Sequence, residues 1–207
     1  MNNRGVKIKI NKLVTNLLTS SSKYIEKEVL ILVRKQELTD WFDDYGESIL
    51  TYILLIVRDY ELAEDLTQET FLKAFKNHNQ FQQNAAIKTW LFAIAHNTTK
   101  DYFRKRNPIK YYLDFSFNEK DEQPLPEQVV LMNDENEQLY LAIQQLKPTY
   151  KQVITLRKLK EFSTQETALI LKWSESKVKM TLKRALEALK EELLKRGHLD
   201  GLFRGEI

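Results

Sequence analysis

The sequence contains no cysteine, which excludes disulfides and thiolate metal sites and suits a reducing compartment. Glycine and proline are scarce, 5 and 4 in 207 residues, so few positions break a helix, and no alternation of polar and apolar residues marks a strand. The longest apolar runs, residues 29–33 and 53–57, fall far short of the roughly 20 residues that a membrane helix needs. Near the N-terminus Arg4, Lys7, Lys9 and Lys12 are not followed by the apolar core and small-residue cleavage site of an export signal. The expected location is the cytoplasm. The histidines His78, His96 and His198 fit no metal-binding spacing, and no glycine-rich loop offers backbone N–H groups to a nucleotide. Glu64, Asp65 and Glu69 have no partner base or metal ligand in view. No metal, cofactor, small-molecule substrate or catalysis is therefore expected.

What is present is an ordinary globular composition, 43% apolar and 29% charged, with a net charge of +3 distributed in blocks. Residues 1–35 hold eight Lys/Arg against two Glu, residues 88–110 six against one acid, and residues 147–196 thirteen against six. Residues 118–137 reverse the sign, with seven acids and one lysine. Basic blocks separated by an acidic spacer suit two surfaces facing a polyanion and a tether repelled by it, although any one block taken alone reads as a solvated helix face. The fold class expected is all-α: two small helical domains joined by a flexible linker. Residues 1–35 read as a basic extension of open role, with a short helix possible at 24–35. Residues 36–106 form the first helical block, 107–135 an acidic linker carrying Pro108, Pro124 and Pro126, 136–196 the second block, and 197–207 a tail.

In the second block, Pro148 suits an early helical position but not a helix interior. Ser163 and Glu166, three apart in S-T-Q-E, make a capping box in which each side chain satisfies the other's orphan backbone donor. That helix ends near Lys172, and Ser174 caps a last helix reaching about Lys195. Two helices separated by a tight turn, the second longer and basic, is the geometry that places a recognition helix in the major groove. Along the last helix Val178, Leu182, Ala185, Leu186 and Leu189 share one face. The opposite face carries Ser176, Lys177, Met180, Lys183 and Arg184, with Lys179 at its flank. The alternative is an amphipathic bundle helix with a solvated lysine face.

In the first block, residues 59–77 place Ala63, Leu66, Thr67, Thr70, Phe71 and Ala74 on one helical face and Asp65, Gln68, Glu69 and Leu72 on the other. By itself the acidic face reads as solvated surface. The next helix, 88–106, is expected to pack through Leu91, Ile94, Ala95, Thr98 and Tyr102, leaving Trp90, Ala93, Asn97, Asp101 and Arg104 on its other side. The preceding segment 81–87 is amide-rich. Aromatic and amide groups beside clustered cations suit single-stranded nucleic acid: a ring to stack an unpaired base, an amide to read its edge, and charge for phosphates. A core tryptophan with cations complementing a helix C-terminus accounts for the same residues.

In order and spacing, Y-G-E-S-I-L-T-Y, A-E-D-L-T-Q-E-T-F-L-K-A, K-T-W-L-F-A-I-A-H-N-T-T-K-D-Y-F-R-K, E-F-S-T-Q-E-T-A and S-E-S-K-V-K-M-T-L-K-R-A resemble the extracytoplasmic-function (ECF) group of bacterial sigma-70 family RNA polymerase sigma factors, over residues 36–195. The resemblance implies a first block that binds the beta-prime clamp of core RNA polymerase and melts the minus-ten element, and a second block, near the beta flap, that binds the minus-thirty-five duplex. It implies that Asp65, Gln68, Glu69 and Leu72 dock polymerase, against the solvated reading above. It also implies that Phe81, Asn84 and Asn97 shape a pocket for a flipped non-template base, with Lys88, Trp90, Arg104 and Arg106 along the melted strand. Ser176, Lys177, Lys179, Met180, Lys183 and Arg184 would meet the minus-thirty-five element. Ser174, Ser176 and Lys177 stand where many relatives have Pro, Gly and Thr, and Thr181 where they have Arg. An anti-sigma partner, often membrane-bound, is a further implication. A stand-alone helix-turn-helix regulator remains the rival, and it would carry a sensor or dimerisation domain in place of the first block.

Overall fold

The computed structural model describes residues 23–81, 86–106 and 134–197. The 107–133 segment, residues 82–85 with Asn84, the N-terminal 22 residues and the tail beyond 197 lie outside the described residues. Every regular element among the described residues is helical: α1 (Lys23–Val57), α2 (Tyr60–Lys76), a 3-10 turn (His78–Gln80), α3 (Ile87–Arg106), α4 (Asp134–Gln144), α5 (Pro148–Ile154), a π turn (Thr155–Leu159), α6 (Thr164–Leu171) and α7 (Glu175–Lys195). The all-α expectation holds. The chain divides into two compact units, Met1–Asp44 and Tyr45–Ile207.

One difference from the sequence reading lies in α1. The sequence allows a short helix at 24–35 and starts a block at residue 36, and one helix, Lys23–Val57, passes through that point without interruption. No glycine or proline stands between Lys23 and Tyr45, so nothing stops propagation once the helix has begun. In the first unit Leu30, Ile31 and Leu32 are exposed.

In the second unit, α1 ends where Arg58 turns left-handed (φ 64°) and its N–H donates to the Leu54 carbonyl at 2.9 Å. Asp59 then caps α2, accepting from the Leu62 N–H at 3.0 Å. α2 buries Ala63, Leu66, Thr67, Thr70, Phe71 and Ala74, the six positions its periodicity gave, and packs on α3. The hydroxyls of Thr67 and Thr70 each donate to a carbonyl one turn back at 2.7 Å, which satisfies two polar groups inside the core.

The inward set expected for α3 needs correction. Thr89, Leu91, Phe92, Ala95, His96, Thr98 and Thr99 are buried, whereas Ile94 and Tyr102 are only half-buried. The cause is that α3 packs against α2 on one side and α6 on another, so its buried arc is wider than the single stripe of a helix with one neighbour. Phe92 sits at the junction, its ring 5.5 Å from Tyr52 of α1 and 4.8 Å, edge-on, from Phe162. All three rings are at most 2% exposed. Each buried aromatic side chain contributes roughly 1.5–3 kcal/mol by burial, so this row joins the two helical groups of the second unit through a shared core.

The helix-turn-helix follows its sequence signals closely. Pro148 opens α5. The π turn closes with Lys160 N–H to Thr155 O and Phe162 N–H to Leu156 O, both 2.9 Å. Ser163 Oγ accepts from the Glu166 N–H at 3.1 Å while Glu166 Oε2 accepts from the Ser163 N–H at 2.8 Å. α6 ends at Lys172 in the left-handed region (φ 56°), and Ser174 Oγ caps α7 by accepting from the Lys177 N–H at 3.2 Å. Toward the core α7 buries Val178, Ala185, Leu189 and Leu193, while Leu182 and Leu186, expected to be fully inward, are half-buried. Leu193 extends the buried stripe one turn further than the sequence reading took it.

Candidate nucleic-acid and polymerase interface

The α2 face opposite its buried stripe is open: Asp65, Gln68 and Glu69 are exposed and Leu72 is 58% exposed. Glu69 is ion-paired with Lys73 at 2.8 Å, and Lys73 also donates to Thr98 Oγ1 at 3.1 Å. Asp65 with Gln68 and Leu72 thus forms an acidic surface centred on an apolar side chain, while Glu69 is partly neutralised by its own helix. For exposed pairs of this kind the energetic weight is small, about 0.3–0.5 kcal/mol.

Around the start of α3, Phe81 and Trp90 come together, ring centroids 5.3 Å apart at 48°, and both are half-buried, as is Asn97. Asn84 lies outside the described residues. Farther along, Arg104 is exposed and pairs with Asp101 at 3.1 Å, and Arg106 donates to the Tyr102 hydroxyl at 3.1 Å. Lys88 was expected along a melted strand, but in this conformation its Nζ donates to the Lys160 carbonyl at 3.0 Å and lies 4.8 Å over the Phe162 ring. Its neighbour Thr89 donates to Glu166 Oε1 at 3.1 Å. The capping-box glutamate therefore serves two helices: it caps α6 and ties it to α3. The Ser163 hydrogen bonds, with Thr89 and Lys88 adding less, hold the Glu166 carboxyl below its ordinary value.

A second polar junction was not legible in the sequence. Arg58 Nε donates to Gln144 Oε1 at 2.6 Å and its terminal nitrogen donates to the Gln144 carbonyl. Gln144 Nε2 donates to the Leu55 carbonyl at 3.1 Å, and Lys151 Nζ donates to Gln144 Oε1 at 3.0 Å. Burial, and secondarily the Arg58 charge, lowers the Lys151 ammonium to about 7. His96 is likewise buried, 3.2 Å from the Tyr52 hydroxyl through Nδ1, and burial with the nearby Lys100 and Lys172 lowers it to about 4. The available sequence signal for His96 was its position four residues after Phe92, one turn along the same face.

On α7, Ser176, Lys177, Lys179, Met180, Lys183 and Arg184 are all exposed, and Met180 is 56% exposed. The sequence reading missed Trp173, half-buried in the turn before the helix, whose ring lies 4.3 Å beneath the Lys177 ammonium. No cluster of metal-ligating side chains occurs among the described residues, and no described helix is long and apolar enough to cross a membrane.

Comparison with known proteins agrees in both blocks. The Sigma-70 region 2 family profile matches residues 41–109 and the Sigma-70 region 4 profile residues 136–189. The ECF RNA polymerase sigma factor SigX of Bacillus subtilis (strain 168) is 32% identical over 172 residues, covering 80% of this chain and 89% of that protein. The RNA polymerase sigma factor YlaC of the same organism is 35% identical over 165 residues, 78% of this chain and 94% of that protein. Among solved structures, the sigma factor RpoE from Bartonella quintana, crystallised with the anti-sigma factor NepR, shares the fold with a TM-score of 0.59 at 22% identity, over 77% of this chain and 98% of that one. With both profiles in order and relatives matched across most of their length, the chain belongs to the extracytoplasmic-function group of sigma-70 family RNA polymerase sigma factors.

Proposed function

We propose that this sigma factor docks on the beta-prime clamp of core RNA polymerase through Asp65, Gln68, Glu69 and Leu72, and contacts promoters at two places without catalytic chemistry of its own. Phe81, Asn84, Lys88, Trp90, Asn97, Arg104 and Arg106 serve the minus-ten element and the melted non-template strand. Ser176, Lys177, Lys179, Met180, Lys183 and Arg184 serve the minus-thirty-five duplex, with the second block placed by the beta flap. The observation that carries the reading is a fully capped helix-turn-helix with an exposed basic face in the same chain as an open acidic face on α2. A stand-alone regulator would have no use for the region 2 block at residues 41–109.

Melting draws on binding: stacking an extruded base on Phe81 and Trp90 offsets the few kcal/mol needed to unstack it. Phosphate contacts add affinity that falls with salt. The Lys88 ammonium, which gives one of its three donors to the Lys160 carbonyl, has donors left for a strand phosphate. An anti-sigma factor that favours the closed packing would hold the protein inactive, in the cytoplasm or at a membrane to which that partner is anchored.

Co-purification with core polymerase, comparing wild type with Asp65→Arg, tests the docking face. Retention of the wild type and loss of a variant that keeps its helical circular dichroism is the expected result. Equal retention would return the face to plain surface.

A further inference from the structure

We propose that Trp173 is a positioning residue that holds the Lys177 ammonium at the N-terminal rim of α7, where it meets a backbone phosphate flanking the minus-thirty-five element instead of a base edge. The inference rests on the assignment of α7 to that duplex.

The geometry is fixed from both sides. The left-handed Lys172 lets the Trp173 N–H donate to the Ala168 carbonyl at 3.0 Å, which ties the indole to α6. One turn later the Lys177 N–H is tied to Ser174 Oγ at 3.2 Å. Helical Cα–Cβ bonds tilt toward the helix N-terminus, so the Lys177 side chain runs back along the axis, and its ammonium rests 4.3 Å from the Trp173 ring centroid. That is inside the distance, about 6 Å, at which a ring face attracts a cation.

This cation does not help the helix. A positive charge in the first turn opposes the macrodipole, which favours anions there, and the acid that suits that position, Glu175, is already present. The ring quadrupole offsets the unfavourable placement and restricts a lysine side chain that would otherwise sample many rotamers. A phosphate oxygen approaching this rim would meet the ammonium at the positive end of a 21-residue helix. Base edges are left to Met180, Lys183 and Arg184, further along the face and exposed. Trp173 thus sets the location of one charge, and that charge sets affinity without choosing sequence.

The test uses holoenzyme reconstituted from core polymerase and full-length protein, with promoter affinity measured against salt for a panel of minus-thirty-five variants. Lys177→Ala is expected to weaken every promoter in the panel by a similar factor and to reduce the slope of log K against log salt by about 0.9. Trp173→Leu is expected to weaken binding about two- to five-fold and to have no further effect in the Lys177→Ala background. Trp173→Phe, which keeps a ring at the position, should retain most of the affinity and guards against a folding defect in the leucine variant. Loss of preference at one base position in Lys177→Ala, or additive effects of Trp173→Leu and Lys177→Ala, would overturn the proposal. If Lys183→Ala and Arg184→Ala were also without effect, the assignment of α7 to the minus-thirty-five duplex would itself fail; if they weaken binding while Trp173→Leu does not, only the positioning role fails.

Discussion

Replacing Arg58 by Asn isolates the clasp between the end of α1 and α4. Arg58 is left-handed at φ 64°, and asparagine tolerates that region better than most residues, so the backbone turn is kept while the guanidinium is removed. Two hydrogen bonds from a charged donor to Gln144 are lost. Such bonds contribute about 1.5–3 kcal/mol each when shielded, and Arg58 is only half-buried, which reduces the sum to about 2–3 kcal/mol. The Gln144 side chain keeps Lys151 and the Leu55 carbonyl, while its backbone carbonyl loses its Arg58 partner. At 1.4 kcal/mol per tenfold, the open population should rise about 30- to 140-fold. The absence of cysteine allows Glu64→Cys and Lys190→Cys, both exposed sites, to carry a donor and acceptor dye. Time-resolved energy transfer should then show a longer-distance population in the Arg58→Asn protein, and Arg58→Lys should fall between. An unchanged distance distribution would refute the clasp as a determinant of closure.

Three further outcomes are expected. His96, lowered to about 4 by burial, binds fewer protons folded than unfolded, so stability is full above about pH 6.5 and falls by roughly 3 kcal/mol as pH drops toward 4; urea unfolding across that range, with His96→Gln flattening the dependence, checks it. Lys151, lowered to about 7, also binds fewer protons folded, so stability should rise with pH from about 7 to 10 and Lys151→Met should abolish that slope in thermal melts. Removing the Ser163 cap by Ser163→Ala should lower stability by about 1 kcal/mol, a melting shift of about 2–4 °C; a change under half a degree would show that the capping box contributes nothing.

The sequence disclosed those parts of the molecule governed by local chemistry. The S-T-Q-E box, Pro148 and the Ser174 cap each act within four residues, and α6 and α7 begin where these signals placed them. The buried face of α2 followed from period alone because that helix packs chiefly on α3. α3 defeated the same reasoning, since a helix gripped by two neighbours has no single stripe, and Phe92 and His96 went inward unannounced. The Arg58–Gln144 clasp joins residues 86 apart, and the Lys88–Lys160 contact residues 72 apart; no periodicity encodes either. Trp173 escaped notice because its partner is a cation held over a ring face, a contact that no residue spacing marks as different from a packed turn.

Promoter-specific initiation is the central claim, and reconstituted transcription tests it most directly. Core polymerase with the purified protein, given fragmented genomic DNA, should produce transcripts from a discrete set of start sites that share paired elements about ten and thirty-five base pairs upstream. Alanine at Lys183 and Arg184 should weaken dependence on the distal element, and alanine at Trp90 should reduce opening at the proximal one. No discrete start sites above those of core polymerase alone would contradict the account.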